Sequence, residues 1–416
     1  MDGQGRVAVT GSFYGTTDFG GGLVSSAVCC GGATSTMDLF IAEYGPSGGH
    51  LWSRVIGAES DDAGRGIAID SSSNVLVTGL QGSYSVDYGG GPQFNHGAYD
   101  VFIAKYSSAG SWSWSKTIGG SGYDQGNAIA ADGADNVFVT GYIGAGTGGA
   151  DFGGGALFSA GLSDVFLVKY SPAGQHLWSK RFGAAGNDAG MAVSTDGSGN
   201  VIIVGSFEGA VDFGGGALTS AGMRDIFVAK YSATGQHIWS KRFGSTGDDV
   251  GYGLAVDSAG DVFLSGKFQG SVSFGGTALT SAGGDDIFLV KLAGATGNHS
   301  WSKSFGSTSG DASLGLAVDT SRSVVMTGYF TGSVNFGGGA LSSSGLDVFV
   351  AKYAGDGTYT WSRRYGGFDT QIANAVAVAG TGDVSVTGYF STGIDLGAGP
   401  MASSGSYDVF LAGIGP

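Results

Sequence analysis

Aspartates recur at a fixed distance from the tryptophans of this chain, and they are its best candidates for binding an ion. Each lies ten residues after a tryptophan, in the connection between two strand-like segments: Asp62, Asp124, Asp188, Asp249 and Asp311. The last unit has Gln371 at this place, with Asp369 two residues earlier. Carboxylates from loops that meet at one mouth could form an acidic ring that holds Ca²⁺ or another hard cation. The competing interpretation is a turn-capping aspartate that recurs because the turn recurs.

A second series consists of aromatic residues that precede glycines. Its members are Phe19, Tyr88, Phe152, Phe213, Phe274 and Phe336, with Leu396 in the last unit. Sugar rings stack on such aromatics in repeat lectins. Burying a phenylalanine is worth about 1.5–3 kcal/mol, however, and we therefore expect these rings to pack in the core. We expect the same of the repeated tryptophans: Trp52, Trp114, Trp178, Trp239, Trp301 and Trp361.

The polar residue that recurs most often opens a strand-like segment. Its copies are Asp38, Asp100, Asp164, Asp225, Asp286, Asp347 and Asp408. A short carboxylate before a strand usually accepts hydrogen bonds from turn N–H groups, so a structural role is favoured over ligand binding. As partners of these carboxylates we predict the threonines of a repeated V-T-G motif: Thr10, Thr78, Thr140, Thr327 and Thr387.

Other signatures of catalysis do not occur in the sequence. The glycine-rich runs do not lie between a strand and a helix, which argues against a phosphate-binding loop. The five histidines fall in turns, and no Ser/His/Asp order, H-E-x-x-H motif or Cys/His zinc spacing is present. Cys29 and Cys30 are adjacent, which favours loop thiols or a strained vicinal disulfide without function. We therefore predict no cofactor apart from the candidate Ca²⁺.

The charge balance limits the partners. The chain has a net charge of -15, although only 13% of its residues are charged. Nucleic acids and anionic membranes are bound through Lys and Arg, so we expect neither as a partner. No apolar run approaches the ~20 residues of a membrane helix, and we predict a soluble chain without a transmembrane segment. No signal peptide is visible after Met1.

The elements that position these residues are copies of one unit. A DVF-type segment begins at each aspartate of the series that starts with Asp38, and the next copies begin at Asp100 and Asp164. A fixed period of about 61 residues is typical of a solenoid, a propeller or another repeat array. The abundance of glycine, 84 residues against 5 prolines, suits an array with many tight turns. We expect one domain over residues 1–416.

Each unit contains four strand-like segments, here named A, B, C and D. In one unit they are residues 191–196, 200–207, 225–231 and 237–243. Short turns join A to B and C to D, as in antiparallel hairpins. Segment A consists of small residues, B and C are apolar on both faces, and D mixes Trp with Lys and Arg. This order from small to apolar to charged is typical of a propeller blade.

The number of segments predicts the number of blades. Segments B and C occur seven times, whereas A and D occur six times. The sequence thus predicts an all-β propeller of seven blades with four antiparallel strands each. The first blade would lack its innermost strand and the last its outermost strand. Six blades are the alternative, if B and C of the first unit are displaced and its D segment completes the last blade.

The units resemble the SBBP-type bacterial β-propeller repeats. The resemblance is carried by WSKTIGGSGYDQGNAIAADGADNVFVTG and DIFVAKY, with close copies of both along essentially the whole chain. It implies a secreted or cell-surface bacterial protein from a family that mostly lacks an assigned activity. The long B–C connection with its FGGG motif, as at residues 213–222, departs from the familiar pattern.

These observations favour a non-catalytic extracellular or cell-surface module that binds a glycan or a protein through its loop faces, or acts as a scaffold. Near-identical units argue against an enzyme, because an active site needs one unit to differ chemically. Two alternatives remain open. One is a quinoprotein-like or lyase-type enzyme that uses the axial channel. The other is a structural protein that assembles into oligomers through incomplete terminal blades.

Overall fold

The computed structural model describes residues 1–29 and 34–415, so Cys30 of the predicted cysteine pair lies outside the described residues. Every regular element in the described part of the chain is a β-strand. The strands fall into two compact units. Unit 1 comprises Met1–Ile203, Phe207–Ala217 and Tyr231–His237, and unit 2 comprises Val204–Ser206, Leu218–Lys230 and the described chain from Ile238 onward.

The first three repeats lie in unit 1. The first contains β1 (Val7–Phe13), β2 (Thr16–Asp18), β3 (Leu23–Ser25), β4 (Val28–Cys29), β5 (Thr34–Ser35), β6 (Asp38–Tyr44) and β7 (His50–Ile56). The second contains β8 (Asp62–Ile69), β9 (Val75–Gln81), β10 (Ser85–Asp87), β11 (Pro92–Phe94), β12 (Asp100–Tyr106) and β13 (Trp112–Ile118). The third contains β14 (Gln125–Ala131), β15 (Val137–Gly144), β16 (Ala150–Asp151), β17 (Ala156–Leu157), β18 (Ser163–Tyr170) and β19 (His176–Phe182).

The fourth repeat is divided between the units, and the last three lie in unit 2. The fourth contains β20 (Ala189–Thr195), β21 (Val201–Phe207), β22 (Ala210–Asp212), β23 (Ala217–Thr219), β24 (Asp225–Tyr231) and β25 (His237–Phe243). The fifth contains β26 (Val250–Val256), β27 (Val262–Phe268), β28 (Ser271–Val272), β29 (Leu279–Thr280), β30 (Asp286–Leu292) and β31 (His299–Phe305). The sixth contains β32 (Ala312–Val318), β33 (Val324–Phe330), β34 (Ser333–Asn335), β35 (Ala340–Ser342), β36 (Asp347–Tyr353) and β37 (Tyr359–Tyr365). The seventh contains β38 (Gln371–Val378), β39 (Val384–Phe390), β40 (Gly393–Asp395), β41 (Pro400–Ala402) and β42 (Asp408–Ile414).

The long strands of each repeat form one antiparallel sheet in the order A, B, C, D. Examples are β14-β15-β18-β19 in unit 1 and β32-β33-β36-β37 in unit 2. The first sheet, β1-β6-β7, has no A strand, and the last, β38-β39-β42, has no D strand. The fold is therefore a β-propeller of seven blades, as predicted. The six-blade alternative is wrong, because β1 pairs with β6 and β6 pairs with β7 in a sheet of their own.

The predicted strand bounds agree best for segments C and D. Segments C and D of the fourth repeat have the bounds of β24 and β25. Strand A, β20, begins at Ala189 instead of residue 191 and ends at Thr195. The early start follows from the buried Asp188 just before it, which orders the chain at that point.

The small residues of the A strands are explained by packing between blades. Strand β14 packs against β8 and β20 in unit 1, and β32 packs against β26 and β38 in unit 2. A Cβ atom on Gly66 would lie 2.8 Å from the Cα atom of Ala128 in the next blade. Larger side chains would therefore push neighbouring A strands apart. The B and C strands behind them are buried along their length, as in β9 and β12.

The FGGG motif forms a short hairpin in each B–C connection. In the third repeat this hairpin is β16–β17, and Oδ1 of Asp151 accepts N–H groups from Gly153 at 2.7 Å and Gly155 at 3.0 Å. Gly153 has a φ of 112°, a conformation that favours glycine. A Cβ atom on Gly154 would lie 2.5 Å from Cε1 of His176. Because these glycines have no side chains, the ring of His176, the first residue of strand D, lies directly on the hairpin backbone.

Each sheet has two ends that carry different connections. The A–B and C–D turns lie at one end, here named the turn edge. The D–A and B–C connections lie at the other end, here named the loop edge. The described part of the chain has no helix long and apolar enough to cross a membrane.

Candidate functional site

The turn edge is occupied by links between successive repeats. The indole N–H of Trp178 donates to the carbonyl of Ala233 at 3.2 Å, in the C–D turn of the next repeat. Nζ of Lys169 donates to the same carbonyl at 3.1 Å and lies 3.3 Å from Oδ2 of Asp132. The same arrangement recurs in unit 2, where Trp301 and Lys291 both donate to the carbonyl of Gly355. These groups link the successive repeats within each unit.

The tryptophans are therefore less buried than predicted. Only Trp239 reaches 7% exposure, whereas the rest of the repeated series is half-buried. Every ring except that of Trp361 also packs on a turn glycine of the next repeat, as Trp114 does on Gly174. The predicted packing on the core is confirmed for Trp52, Trp114, Trp301 and Trp361. The indole N–H groups of Trp114, Trp178, Trp239 and Trp301 donate to turn carbonyls of the next repeat, whereas that of Trp52 donates to Oε2 of Glu43.

The five aspartates of the predicted cation ring are buried at the loop edge. Oδ2 of Asp188 accepts the N–H of Ala184 at 3.0 Å, and Oδ1 accepts the N–H of Glu208 at 2.9 Å. Its own N–H donates to the carbonyl of Ser163 at 2.9 Å. The same two carboxylate bonds, to residues four before and twenty after, are made by Asp62, Asp124, Asp249 and Asp311. These carboxylates cap the D–A turn, as the competing interpretation predicts.

Burial governs the ionisation of this series. It raises the pKa of Asp62, Asp124, Asp188 and Asp249 to about 6, although the N–H donors act in the opposite direction. Burial also raises the pKa of Asp311. Among the described residues, no group of three or more His, Cys, Asp or Glu side chains could hold a metal ion. The structure thus does not bring these carboxylates together, and Ca²⁺ binding stays a prediction.

At the equivalent place Gln371 makes related contacts without a charge. Its Oε1 accepts the N–H of Gly367 at 3.2 Å, and its Nε2 donates to the carbonyl of Gly393 at 3.3 Å. An uncharged side chain can therefore hold this turn, which shows that the position does not require a negative charge.

The aspartates that open the C strands are structural as well. Oδ2 of Asp286, for example, accepts the N–H of Ala282 at 2.9 Å. In the third repeat Asp164 forms an ion pair with Arg181 of strand D. The predicted threonine partners are wrong for this role: Thr140 donates to the carbonyl of Phe166 at 2.7 Å. Equivalent bonds to the C-strand backbone are made by Thr10, Thr78, Thr327 and Thr387.

In the middle repeats, the aromatic residues before the glycines pack in the core, as predicted. The side chains buried to 2% exposure or less are Tyr88, Phe152, Phe213, Phe274 and Phe336. The terminal members, Phe19 and Leu396, are half-buried. The sequence reasoning missed the tyrosine at the end of strand C, which fixes the hairpin in five repeats of the described chain. The fifth repeat has Leu292 at this position and the seventh has Ile414. The hydroxyl of Tyr170 donates to the carbonyl of Phe152 at 2.9 Å.

The loop edge differs from repeat to repeat at a pair of positions. One lies before strand C and the other before the buried aspartate of the next repeat. Backbone bridges join this pair in three places: Tyr99 with Tyr123, Ser163 with Asn187, and Leu346 with Thr370. The backbone holds the pair, so its side chains are free to vary. Variable side chains on a uniform repeat backbone are typical of the binding surface of a repeat protein.

The loop edge of unit 1 carries five aromatic residues, four of them exposed and Tyr99 half-buried, here named the aromatic platform. Its residues are Tyr14, Tyr84, Phe94, Tyr99 and Tyr123. The ring centroids of Tyr99 and Tyr123 are 5.4 Å apart, and those of Tyr84 and Phe94 are 5.6 Å apart. Tyr84 is 68% exposed and Tyr123 61%. Large rings that stay exposed in a protein with a filled core are candidates for ligand contact.

The platform rests on a rigid support. A Cβ atom on Gly82 would lie 2.6 Å from Cε1 of Tyr99, so that ring packs directly on the end of the B–C segment. The buried Asn95 donates through Nδ2 to the carbonyls of Gln81 at 2.9 Å and Gly82 at 3.2 Å. The loop between the two ring pairs is thereby fixed before any ligand arrives, which lowers the entropic cost of binding.

A small pocket beside the platform belongs to the third repeat. Its walls are glycine-rich backbone, including Gly122, Gly144 and Gly146, and Phe158 lies at its rim. Gly122 precedes Tyr123 of the platform. The N–H of Thr147 donates to the hydroxyl of Ser121 at 2.7 Å, which holds the extended loop in place. The pocket has a volume of about 10 Å³, which is room for a single water molecule.

Unit 2 has a different loop edge, with a group of residues here named the charged cluster. It consists of Arg224, Asp248, Lys267, Gln269 and Asp285. Arg224 donates to both carboxylate oxygens of Asp248, at 2.7 and 2.6 Å. Nζ of Lys267 lies 3.4 Å from Oδ2 of Asp248 and 2.9 Å from Oδ2 of Asp285. Gln269 donates to Oδ1 of Asp285 at 2.8 Å.

The cluster is balanced in charge. Burial would raise the pKa of Asp248, but Arg224 and then Lys267 lower it below its usual value. The platform and the charged cluster were both missed by sequence reasoning, which emphasised what the repeats share. Comparison of the residue before each strand C would have found them: Met37, Tyr99, Ser163, Arg224, Asp285, Leu346 and Tyr407.

Comparisons with known proteins identify the repeat. The SBBP family, described as a beta-propeller repeat, matches this chain at residues 51–80, 113–146 and 238–267. An uncharacterized WD repeat-containing protein of Acanthamoeba polyphaga mimivirus is 24% identical over 83% of this chain and 31% of its own length. The regulatory protein FlaEY of Caulobacter vibrioides is 28% identical over 40% of this chain and 18% of its own length. The chain thus spans less than a third of either relative.

Solved structures with similar folds are distant in sequence. Sqt1 from Chaetomium thermophilum is 11% identical, with a TM-score of 0.45 over 97% of this chain and 81% of that chain. A quinohemoprotein alcohol dehydrogenase from Comamonas testosteroni is also 11% identical, with a TM-score of 0.43 over 86% of this chain and 62% of that chain.

Proposed function

Because this chain is a β-propeller with SBBP repeats, we propose that it is a non-catalytic binding module, extracellular or on a bacterial cell surface, that holds a glycan on the aromatic platform. The observation that carries the proposal is the pair Tyr99 and Tyr123, whose ring centroids are 5.4 Å apart. The ring of Tyr123 is 61% exposed and that of Tyr99 is half-buried, whereas the third repeat has a serine and an asparagine at the equivalent pair. A tyrosine offers an apolar face to a sugar ring and a hydroxyl for hydrogen bonds.

Two further features support a glycan. The platform presents separate ring pairs along the loop edge of neighbouring repeats, which suits an extended chain of sugars. The loops are held by buried side chains such as Asn95, so the surface is organised in advance. A protein ligand is the other class that the sequence predicts, and the same surface would meet it.

The test is binding to a glycan array, followed by calorimetry with the best oligosaccharide. We expect the variant Tyr99→Ala/Tyr123→Ala to lose about tenfold or more in affinity, which corresponds to about 1.4 kcal/mol. The matched control is Tyr407→Ala, which removes an exposed tyrosine from the position equivalent to Tyr99 in the seventh repeat. An empty array, or equal loss in the control, would refute the proposal.

A further inference from the structure

The aromatic platform has acidic neighbours. Oε1 of Glu59 accepts the N–H of Tyr84 at 2.9 Å. The carbonyl of Asp61 accepts the N–H of Gly82 at 3.0 Å, and its Oδ1 accepts the N–H of Met37 at 2.9 Å. Glu59 is exposed and Asp61 half-buried. Two carboxylates are thus fixed against the backbone segment that supports the platform rings.

The ionised groups that act most strongly on Tyr99 of the platform are acidic. After burial, the groups that most raise the pKa of Tyr99 are Asp61, Tyr123, Tyr14 and Asp62. The neighbouring His96 is engaged elsewhere, because its Nδ1 lies 2.8 Å from Oδ2 of Asp100. The potential around the platform therefore favours a positively charged ligand.

Aromatic faces and carboxylates attract the same kind of group. The face of a tyrosine ring carries partial negative charge and draws in a cation within about 6 Å. A carboxylate beside it adds a charge-assisted hydrogen bond to an ammonium group. An anionic sugar such as a uronic acid would meet repulsion from Glu59 and Asp61 in the same place.

We propose that the ligand of the aromatic platform is a glycan with free, protonated amino groups, whose sugar rings stack on Tyr99 and Tyr123 while an ammonium group pairs with Asp61. This inference rests on the proposed function and specifies its substrate class. Asp61 has one carboxylate oxygen engaged with Met37, and its second oxygen is the acceptor for the ammonium group. Glu59 contributes to the same selection from the other ring pair.

The experiment compares three probes of equal length by calorimetry at a mildly acid pH: chitosan oligosaccharides with free amines, chitin oligosaccharides with acetylated amines, and oligogalacturonate with carboxylates. We expect the chitosan probe to bind about tenfold tighter than the chitin probe, and oligogalacturonate not to bind. Added salt should reduce this advantage, because it screens exposed charges.

Variants separate charge from shape. Asp61→Asn keeps an oxygen for the N–H of Met37 and removes the charge, so the preference for chitosan over chitin should fall while chitin binding stays unchanged. Asp383→Asn, which removes a charge from an exposed turn of the seventh repeat, should change neither affinity.

The outcomes distinguish the two proposals. Equal binding of chitosan and chitin, or a preference that survives Asp61→Asn, would overturn the amino-sugar inference while the glycan-binding function stands. Binding of oligogalacturonate alone would overturn the inference in the same way. No binding by any of the three probes, together with an empty array, would overturn both.

Discussion

The turn edge and the loop edge of the blades differ in how similar their contacts are from one repeat to the next. At the turn edge, Trp178 and Lys169 reach the carbonyl of Ala233, and Trp301 and Lys291 reach that of Gly355 in the same way. At the loop edge, buried aspartates recur but the exposed pair changes from two tyrosines to serine and asparagine. One edge therefore carries the links between blades and the other carries chemical diversity.

The largest effect on folding should come from the turn edge. Lys169→Met keeps the apolar stem over the ring of Phe138 but leaves Asp132 buried without its cation. Breaking one partner of a buried pair costs about 3–5 kcal/mol. We expect a loss of this size in the free energy of unfolding, measured by urea titration. The loop-edge control Tyr123→Ala should stay within about 0.5 kcal/mol. A similar cost for both variants would remove the contrast between the edges.

A smaller loss of stability should follow when the space between the B–C hairpin of the third repeat and the ring of His176 is filled. Gly154→Ala places a methyl group 2.5 Å from Cε1 of His176, and overpacking of this kind costs about 1–3 kcal/mol. Gly197→Ala is the matched control, since nothing lies within 4 Å of a Cβ atom there. Adding His176→Ala to Gly154→Ala should recover part of the loss, because the two groups compete for one space. Additive losses would show that the ring does not cause the strain.

The smallest expected effect is on the pH dependence of the free energy of unfolding, which tests the role of the buried loop-edge aspartates. Burial raises the pKa of Asp188 from 3.8 to about 6, so the folded protein binds more protons than the unfolded chain between these values. The stabilisation that results from the raised pKa of Asp188 is present in full below about pH 4, and it is lost as the pH rises through about 6.

Acidification from pH 7 to pH 5 should therefore add about 1 kcal/mol of stability through Asp188. Asp188→Asn should remove that increment, as measured by thermal unfolding of both proteins across this pH range. Asp132 is a useful contrast, because its pKa is lowered and its contribution changes only at more acid pH. An unchanged pH slope in Asp188→Asn would show that this carboxyl is ionised in the folded protein.

The fold was accessible from the sequence because its determinants recur. Apolar runs and short glycine turns predicted the strands, and the bounds of β24 and β25 agree with the prediction. The small residues of strand A predicted close packing, which the contact of Gly66 with Ala128 confirms. Each of these signals depends on local spacing, and seven copies of the unit reinforced it.

The candidate site was not accessible in the same way. Tyr99 and Tyr123 come from different repeats, and the backbone bridge between them brings them side by side. No local pattern marks a pair whose members differ in every repeat. The turn-edge links were missed for a related reason: the lysine of strand C finds its partners in an A–B turn and in the next repeat, as Lys169 does. Both features require the three-dimensional arrangement of repeats.

The backbone bridge between the paired loop-edge positions also bears on how such a chain can diversify. It joins tyrosines, a serine with an asparagine, and a leucine with a threonine, so mutational drift at these positions need not disturb the surrounding strands. Duplication of the gene segment for one repeat copies its structural residues unchanged. It also copies the variable pair, whose side chains can then change by mutation. New binding specificities can then arise one blade at a time, and the protein encoded at each step still folds.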